Sequence, residues 1–257
     1  MAARAAGEVV AIDPHNNRPI GSPIEVGGHP SSVAVAFGSV WVTDSSSGTL
    51  IRIKRHRIVQ HIRVGSHPSD VVAANGFVWV ANEASNSVNR IDPFGGSPGV
   101  SATIAVGGGP HALAIGDHGV WVASIRNGTV SEIDPRHATT EGRPIPAGRG
   151  PSDIAAGPDV IWAIDNVKGT LIRIDPKART ASRPTPVGRR PRGLKQGLGY
   201  LWVANGGDGT VWRLEQDTGA RVGDPIEVGA NPADISIGDG SVWTADYDGG
   251  SVTRINP

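Results

Sequence analysis

Six times along this chain of 257 residues, a proline is followed eleven residues later by a tryptophan. The prolines are Pro30, Pro68, Pro110, Pro151, Pro191 and Pro232; the tryptophans are Trp41, Trp79, Trp121, Trp162, Trp202 and Trp243. Seven residues beyond each tryptophan stands a turn residue: Gly48, Asn86, Gly128, Gly169, Gly209 or Gly250. Successive units begin 38, 42, 41, 40 and 41 residues apart. The spacing is rigid inside the unit and variable only after the segment typified by Arg173-Ile174-Asp175-Pro176. Self-similarity of this period means that one supersecondary unit is repeated, with each copy burying its apolar face against the next.

Each unit reads as four short strands with turn residues between them. In the fourth unit, Ser152 to Ala156 is the first strand (A), ended by Gly157-Pro158-Asp159. Val160 to Ile164 is strand B, Gly169 to Ile174 strand C, and Arg183 to Val187 strand D. The stretch from Thr49 to Val64, free of Gly and Pro, is β-branched and basic and reads as a C–D hairpin. Composition agrees: 28 Val and 22 Ile stand against 7 Leu, a preference for side chains that pack on pleated surfaces. Four antiparallel strands in each ~40-residue unit, six units long, predict an all-β, six-bladed propeller, within the known range of about 4–8 blades.

That prediction covers residues 1–257 as one domain, with units near 24–61, 62–103, 104–144, 145–184, 185–225 and 226–257 plus 8–26. The last unit stops after its third strand, Ser251 to Ile255. Closure is then expected to use Ile24 to Val26 as the outer strand of the last blade, which removes exposed edges. The C-like strand Glu8 to Ile12 is left surplus.

Several classes of chemistry are excluded by what the chain lacks. Without Cys it has no disulfide, no Cys–zinc site and no thiol nucleophile. No apolar run approaches the ~18 residues of a membrane span, so membrane insertion by this chain is not expected. Lys plus Arg equal Asp plus Glu at 24 each, which gives no global pull toward nucleic acid. Phosphate loops, dinucleotide fingerprints, EF-hand loops and nucleophile elbows are absent. No cofactor is expected, and the chain reads as a monomer.

The blocks Val-Gly-Gly-x-Pro, Val-Trp-Val-Ala-Asn and Gly-Thr-Val-x-Arg-Ile-Asp-Pro resemble the YVTN/NHL-like bacterial propeller superfamily. Its relatives include streptogramin lyase and the extracytoplasmic sensor domains of actinobacterial receptor serine/threonine kinases. The resemblance spans nearly the whole chain and implies the fold, an extracytoplasmic setting and a sensor or ligand-binding role. Streptogramin lyase carries Pro-His on one blade and Glu-Pro-His on the next. Pro110-His111 matches the first element, which makes His111 the catalytic candidate. Gly150-Pro151-Ser152 lacks both residues of the second.

What recurs in every unit reads as structure, and what departs from the repeat reads as function. The tryptophans read as packing between blades. The arginines Arg52, Arg90, Arg173, Arg213 and Arg254 read as structural, paired near the C–D turn with Asp92 or Asp175. In propellers the D–A and B–C connections share one face, the mouth. Around the repeat prolines that mouth carries His29 and His67 in units one and two, and Arg149, Arg189, Arg190 and Arg192 in units four and five. After the tryptophans it carries Asp44, Asn82-Glu83, Asp165-Asn166 and Asp246-Tyr247-Asp248. Residues 136–195 hold 12 Lys/Arg against 5 Asp/Glu, and residues 205–257 hold 3 against 9. The ligand-binding candidates are therefore Arg149, Arg189, Arg190, Arg192, His29, His67, Asp44, Asp246 and Tyr247. Such a mouth suits a small charged ligand, a peptide or a partner protein, because an arginine fork gives a carboxylate two parallel hydrogen bonds. Asp70, Asp153 and Asp234 share one register two residues after the proline. They read as acceptors for backbone N–H groups at the start of strand A, with a bound cation as the alternative.

Overall fold

A computed structural model describes every residue except 1, 4–6, 95–98 and 118. Among the described residues all regular structure is β, and each Pro–Trp unit folds as one antiparallel sheet in chain order. These sheets are the blades of an all-β, six-bladed propeller. Unit two shows the pattern: Pro68–Ala74, Phe77–Asn82, Ser87–Asp92 and Gly99–Ala105 pair in sequence. The basic stretch in unit one is the expected hairpin, Thr49–Lys54 with Arg57–Arg63. Arg55 and His56 turn it with φ of 48° and 60°, the mirror-image turn that matches strand twist.

By contacts the chain divides into two compact units, residues 1–124 with 131–143 and residues 125–130 with 144–257. Each has its own apolar clusters. In the first, Trp41, Leu50, Val71, Val78, Val80 and Ile91 pack together, and Trp79 joins Val88, Leu113 and Val122. In the second, Trp162 packs with Leu171, Leu194, Leu201 and Leu214.

The repeated residues have repeated roles. Trp41, Trp79, Trp121, Trp162 and Trp202 are no more than 2 % exposed. The indole N–H of Trp41, Trp79, Trp202 and Trp243 donates to the carbonyl five residues upstream, which ties strand B to the end of strand A. Immediately after each proline the A–B register slips by one residue, so every strand A begins with a bulge. The extra residue is Ser31, Ser69, His111, Ser152, Arg192 or Ala233, and a bulge re-aims the side chain it carries. Ser31, Ser69 and Ser152 donate to the carbonyls of Pro68, Pro110 and Pro191, the prolines of the following blades.

Three expectations are corrected. Strand D of unit four is not Arg183 to Val187 but two short pieces, Thr180–Ala181 and Thr185–Pro186. Pro184 and Pro186 lack the N–H that a continuous ladder requires. The repeat arginines do not pair with Asp92 or Asp175. Arg52 lies 4.7 Å from the centre of the Trp41 ring, Arg90 lies 4.4 Å from Phe77, and Arg213 lies 4.8 Å from Tyr200. Asp92 and Asp175 instead accept N–H groups of their own turns, from Phe94 and from Lys177 and Ala178. A carboxylate two residues from an N–H closes a turn more cheaply than it orders a long cation.

The third correction concerns the ends. Ile24 does not join the C-terminal sheet, which is Pro232–Gly238, Ser241–Asp246 and Ser251–Ile255. It lies in Arg18–Glu25, which pairs with Glu8–Asp13, with Val9 opposite Ile24. A local hairpin closes a shorter loop than a strand drawn from the other terminus. Val9 and Val26 are buried against Val42, Ile51 and Ile53 of the first blade, so the N-terminal hairpin has a core of its own to cover.

Candidate functional site

Every B–C corner begins with a buried polar residue, and in four of them it is an acceptor. Asp44, Asn82, Ser124, Asp165, Asn205 and Asp246 end strand B, and none is more than 4 % exposed. Asp44 takes the His29 N–H at 2.8 Å, Asn82 the Gly65 N–H at 3.0 Å and Asp165 the Arg149 N–H at 2.7 Å. The next residue along donates its own N–H back across the corner. Ser45 bonds the His29 carbonyl, Glu83 that of His67, Asn166 that of Gly150, and Tyr247 that of Asn231. The backbone frame is thus shared by these blades, while its side chains differ.

Asp44 and Asp246 belong to that frame. The Asp44 carboxylate also accepts Ser46 and Ser47. Burial pushes its pKa up, but the bonds from Ser47, the His29 N–H and Ser46 outweigh it and hold the group at about 2. Asp246 accepts the hydroxyls of Thr244, Ser251 and Thr253. Asp70 and Asp153 each bridge two first strands. Asp70 takes the N–H of Val71 and, at 2.8 Å, that of Leu113; Asp153 takes those of Ile154 and, at 2.6 Å, Leu194. Asp234 takes the N–H of Ile235. Among the described residues, no group of three or more His, Asp or Glu side chains is placed to hold a metal ion.

Three of the side chains that depart from the frame meet in the first compact unit, on its second and third blades. His111 is the bulge residue of its blade, in the place where its neighbours carry serine. Its Nδ1 lies 3.1 Å from Glu83 Oε2, and His67 Nδ1 lies 3.8 Å from the same oxygen. The carboxylate is one-fifth exposed and the imidazoles about two-fifths and one-half. His67 has φ 53°, a left-handed conformation that non-glycine residues rarely take, and Gly109 takes φ 69° at the equivalent place. A carboxylate within hydrogen-bond reach of Nδ1 favours the tautomer that carries its proton there. Two blades thus bring one acid and two imidazoles together. Sequence reasoning singled out both histidines but sought the acid on the blade after His111. Glu83 is on the blade before it, and it is the sole acid at a register otherwise filled by Ser45, Ile125, Asn166, Gly206 and Tyr247.

His29 is exposed in the first unit. In the second compact unit Arg189 pairs with Asp208, Nε to Oδ1 at 3.2 Å, and donates to the Gly207 carbonyl. The stem of Arg192 lies against Gly206, where the Asn231 side chain also lies. Arg149, Arg190 and Tyr247 are exposed.

No protein-family model and no curated protein matches this sequence. Solved structures do match. Hydrazine synthase of Kuenenia stuttgartiensis is 17 % identical, with a TM-score of 0.87 over 99 % of this chain and 90 % of that one. A catalytically inactive histidine-to-alanine variant of virginiamycin B lyase from Staphylococcus aureus, with quinupristin, is 19 % identical. Its TM-score is 0.80 over 94 % of this chain and 85 % of that one. A streptogramin B lyase is 16 % identical, with a TM-score of 0.74 over 89 % and 83 %. At such identities a shared backbone speaks for architecture and not for chemistry. In fold, then, this chain is a six-bladed β-propeller, and streptogramin lyases are among the solved structures whose backbone it resembles.

Proposed function

We propose that this chain is a non-catalytic ligand-binding propeller, a sensor or interaction module, whose ligand docks where the second and third blades begin. The observation that carries the proposal is Glu83 set between His67 and His111, on a backbone frame that needs none of the three side chains. Each imidazole has its Nδ1 toward the carboxylate, and both rings are partly exposed, within reach of a small polar ligand or a peptide. The extracytoplasmic setting is supported by the resemblance to sensor domains.

The test is ligand-observed NMR with a library of dipeptides and amino-sugar acids. Compounds bound by the parent should bind Glu83→Gln and His111→Ala at least tenfold more weakly, about 1.4 kcal/mol. Compounds that bind both variants like the parent would place the site elsewhere.

A second reading is favoured by the 3.1 Å His111–Glu83 pair, the geometry of a base oriented by an acid. In that reading the chain is a streptogramin-lyase-like enzyme with His111 as the base. Incubation with quinupristin, followed by mass spectrometry, separates the two. Consumption by the parent and not by His111→Ala would replace the binding reading; intact quinupristin would remove the enzyme reading for that substrate.

A further inference from the structure

Between the outer strands of the first and second blades lies a cleft of about 580 Å³, well away in composition from the histidine site. Its polar lining comes from Arg63, Ser85, Asn86, Ser87, Asn89 and Thr103. Val64, Val100 and Ala105 supply apolar wall. The volume falls in the usual range of about 300–1,000 Å³ for small-molecule sites.

The direction of its hydrogen bonds is decided by the backbone. The Gly65 N–H can only donate, and it reaches Asn82 Oδ1 at 3.0 Å. The Asn82 amide nitrogen therefore points the other way and donates to Asn89 Oδ1 at 2.8 Å. The Asn89 nitrogen in turn donates to Thr103 Oγ1 at 2.8 Å. Asn82 and Asn89 are 0 % and 3 % exposed, so water does not compete for this relay. At its end the Thr103 hydroxyl has spent an acceptor and still holds its proton.

The remaining groups are polarised in the same sense. Ser87 Oγ accepts from Asn82 at 3.4 Å, and Ser85 Oγ accepts the Ser66 N–H at 2.7 Å. Asn86 Oδ1 accepts the Gly109 N–H at 2.9 Å, which leaves its amide hydrogens over. Three hydroxyls and one amide thus face the cleft as donors, beside an exposed guanidinium. No Asp or Glu lines the cleft, and none occurs between Asp44 and Asp70 in sequence. The relay is peculiar to this blade, because the place of Asn89 is taken by Ile51, Ser131, Ile172, Trp212 and Thr253 elsewhere. A packing role would be met by the isoleucine of the neighbouring blade.

We propose that this cleft is a binding site for a sugar acid. Arg63 would take the carboxylate, the hydroxyl and amide donors would take ring oxygens, and the valine wall would take the C–H face. The site uses none of His67, Glu83 and His111, so it stands or falls apart from the function proposed above.

Calorimetric titration of the full chain with D-glucuronate, D-glucose and inorganic phosphate tests it. Glucuronate should bind saturably and at least tenfold more tightly than glucose. Arg63→Gln, a change on an exposed edge strand, should weaken glucuronate at least tenfold with an unchanged circular dichroism spectrum. Ser87→Ala should weaken it severalfold. Absence of saturable glucuronate binding, equal binding by Arg63→Gln, or glucose bound as tightly would each overturn the proposal. Phosphate bound more tightly than glucuronate would overturn the sugar-acid assignment.

Discussion

At the residue scale, the corner acceptors show how one buried side chain organises a loop. Asp44 collects the His29 N–H and the Ser46 and Ser47 groups, and its carboxyl sits at about 2 against an ordinary 3.8. A pKa depressed by folding means that the unfolded chain binds the proton more readily. The stabilisation is therefore complete above about pH 4 and is lost as pH falls toward 2; it amounts to roughly 2 kcal/mol. Asp44→Asn should lower the urea midpoint at pH 6, and the gap between parent and variant should close between pH 4 and pH 2. A gap that stays constant through that window would show that the carboxylate charge contributes nothing. His111 illustrates the opposite case. It occupies a bulge that other blades fill with Ser31, Ser69 and Ser152, whose hydroxyls bond the next blade, and its imidazole is turned instead to Glu83.

At the scale of the element, the glycine that opens the Gly-x-x-Pro segment in units two, four, five and six is explained by the same corner. A Cβ built on Gly65 would lie 2.6 Å from Asn82 Cγ, a distance real side chains do not tolerate. Gly148, Gly188 and Gly229 sit equally close to Asp165, Asn205 and Asp246. No left-handed φ is recorded for Gly65, so close approach alone demands the glycine there. Gly65→Ala should cost about 1–3 kcal/mol through overpacking, read as a fall in the thermal midpoint. Gly38→Ala places its Cβ in open space and differs only in its φ of 64°. It should cost about 1–2 kcal/mol by left-handed strain alone. Equal tolerance of Gly65→Ala and the parent would mean that the corner relaxes more freely than its burial implies.

For the whole molecule, the repeat turns one local solution into an architecture, and the ends are where the repeat gives out. The N-terminal hairpin covers Val42, Ile51 and Ile53 with Val9 and Val26. Deleting residues 1–21 removes the strand Glu8–Asp13 and should lower the melting temperature nearly as far as deleting 1–28. A truncation at residue 21 that melts like the full chain, beside a collapse at residue 28, would restore the closure through Ile24 read from the sequence.

The chain's own pattern was enough to specify blades, because every feature of a blade is local. The Pro-to-Trp distance sets the A–B hairpin, the tryptophan supplies the packing, and the Asp-Pro turn ends strand C. The four-strand plan of a blade and the Thr49–Val64 hairpin could be read from alternation and turn residues within ~40 positions. Strand D of the fourth unit was misjudged because Pro184 and Pro186 act on hydrogen bonds that a hydrophobic pattern does not display. The site was half legible. His67 and His111 stand out as departures from the repeat, but Glu83 stands 28 residues before His111. A carboxylate serves an imidazole through space, and only the packing of one blade against the next brings their atoms to 3.1 Å. Likewise the donors of the outer cleft owe their direction to the Gly65 N–H, which acts through two buried amides on different strands. Composition names such groups, whereas tertiary structure decides which way their protons point.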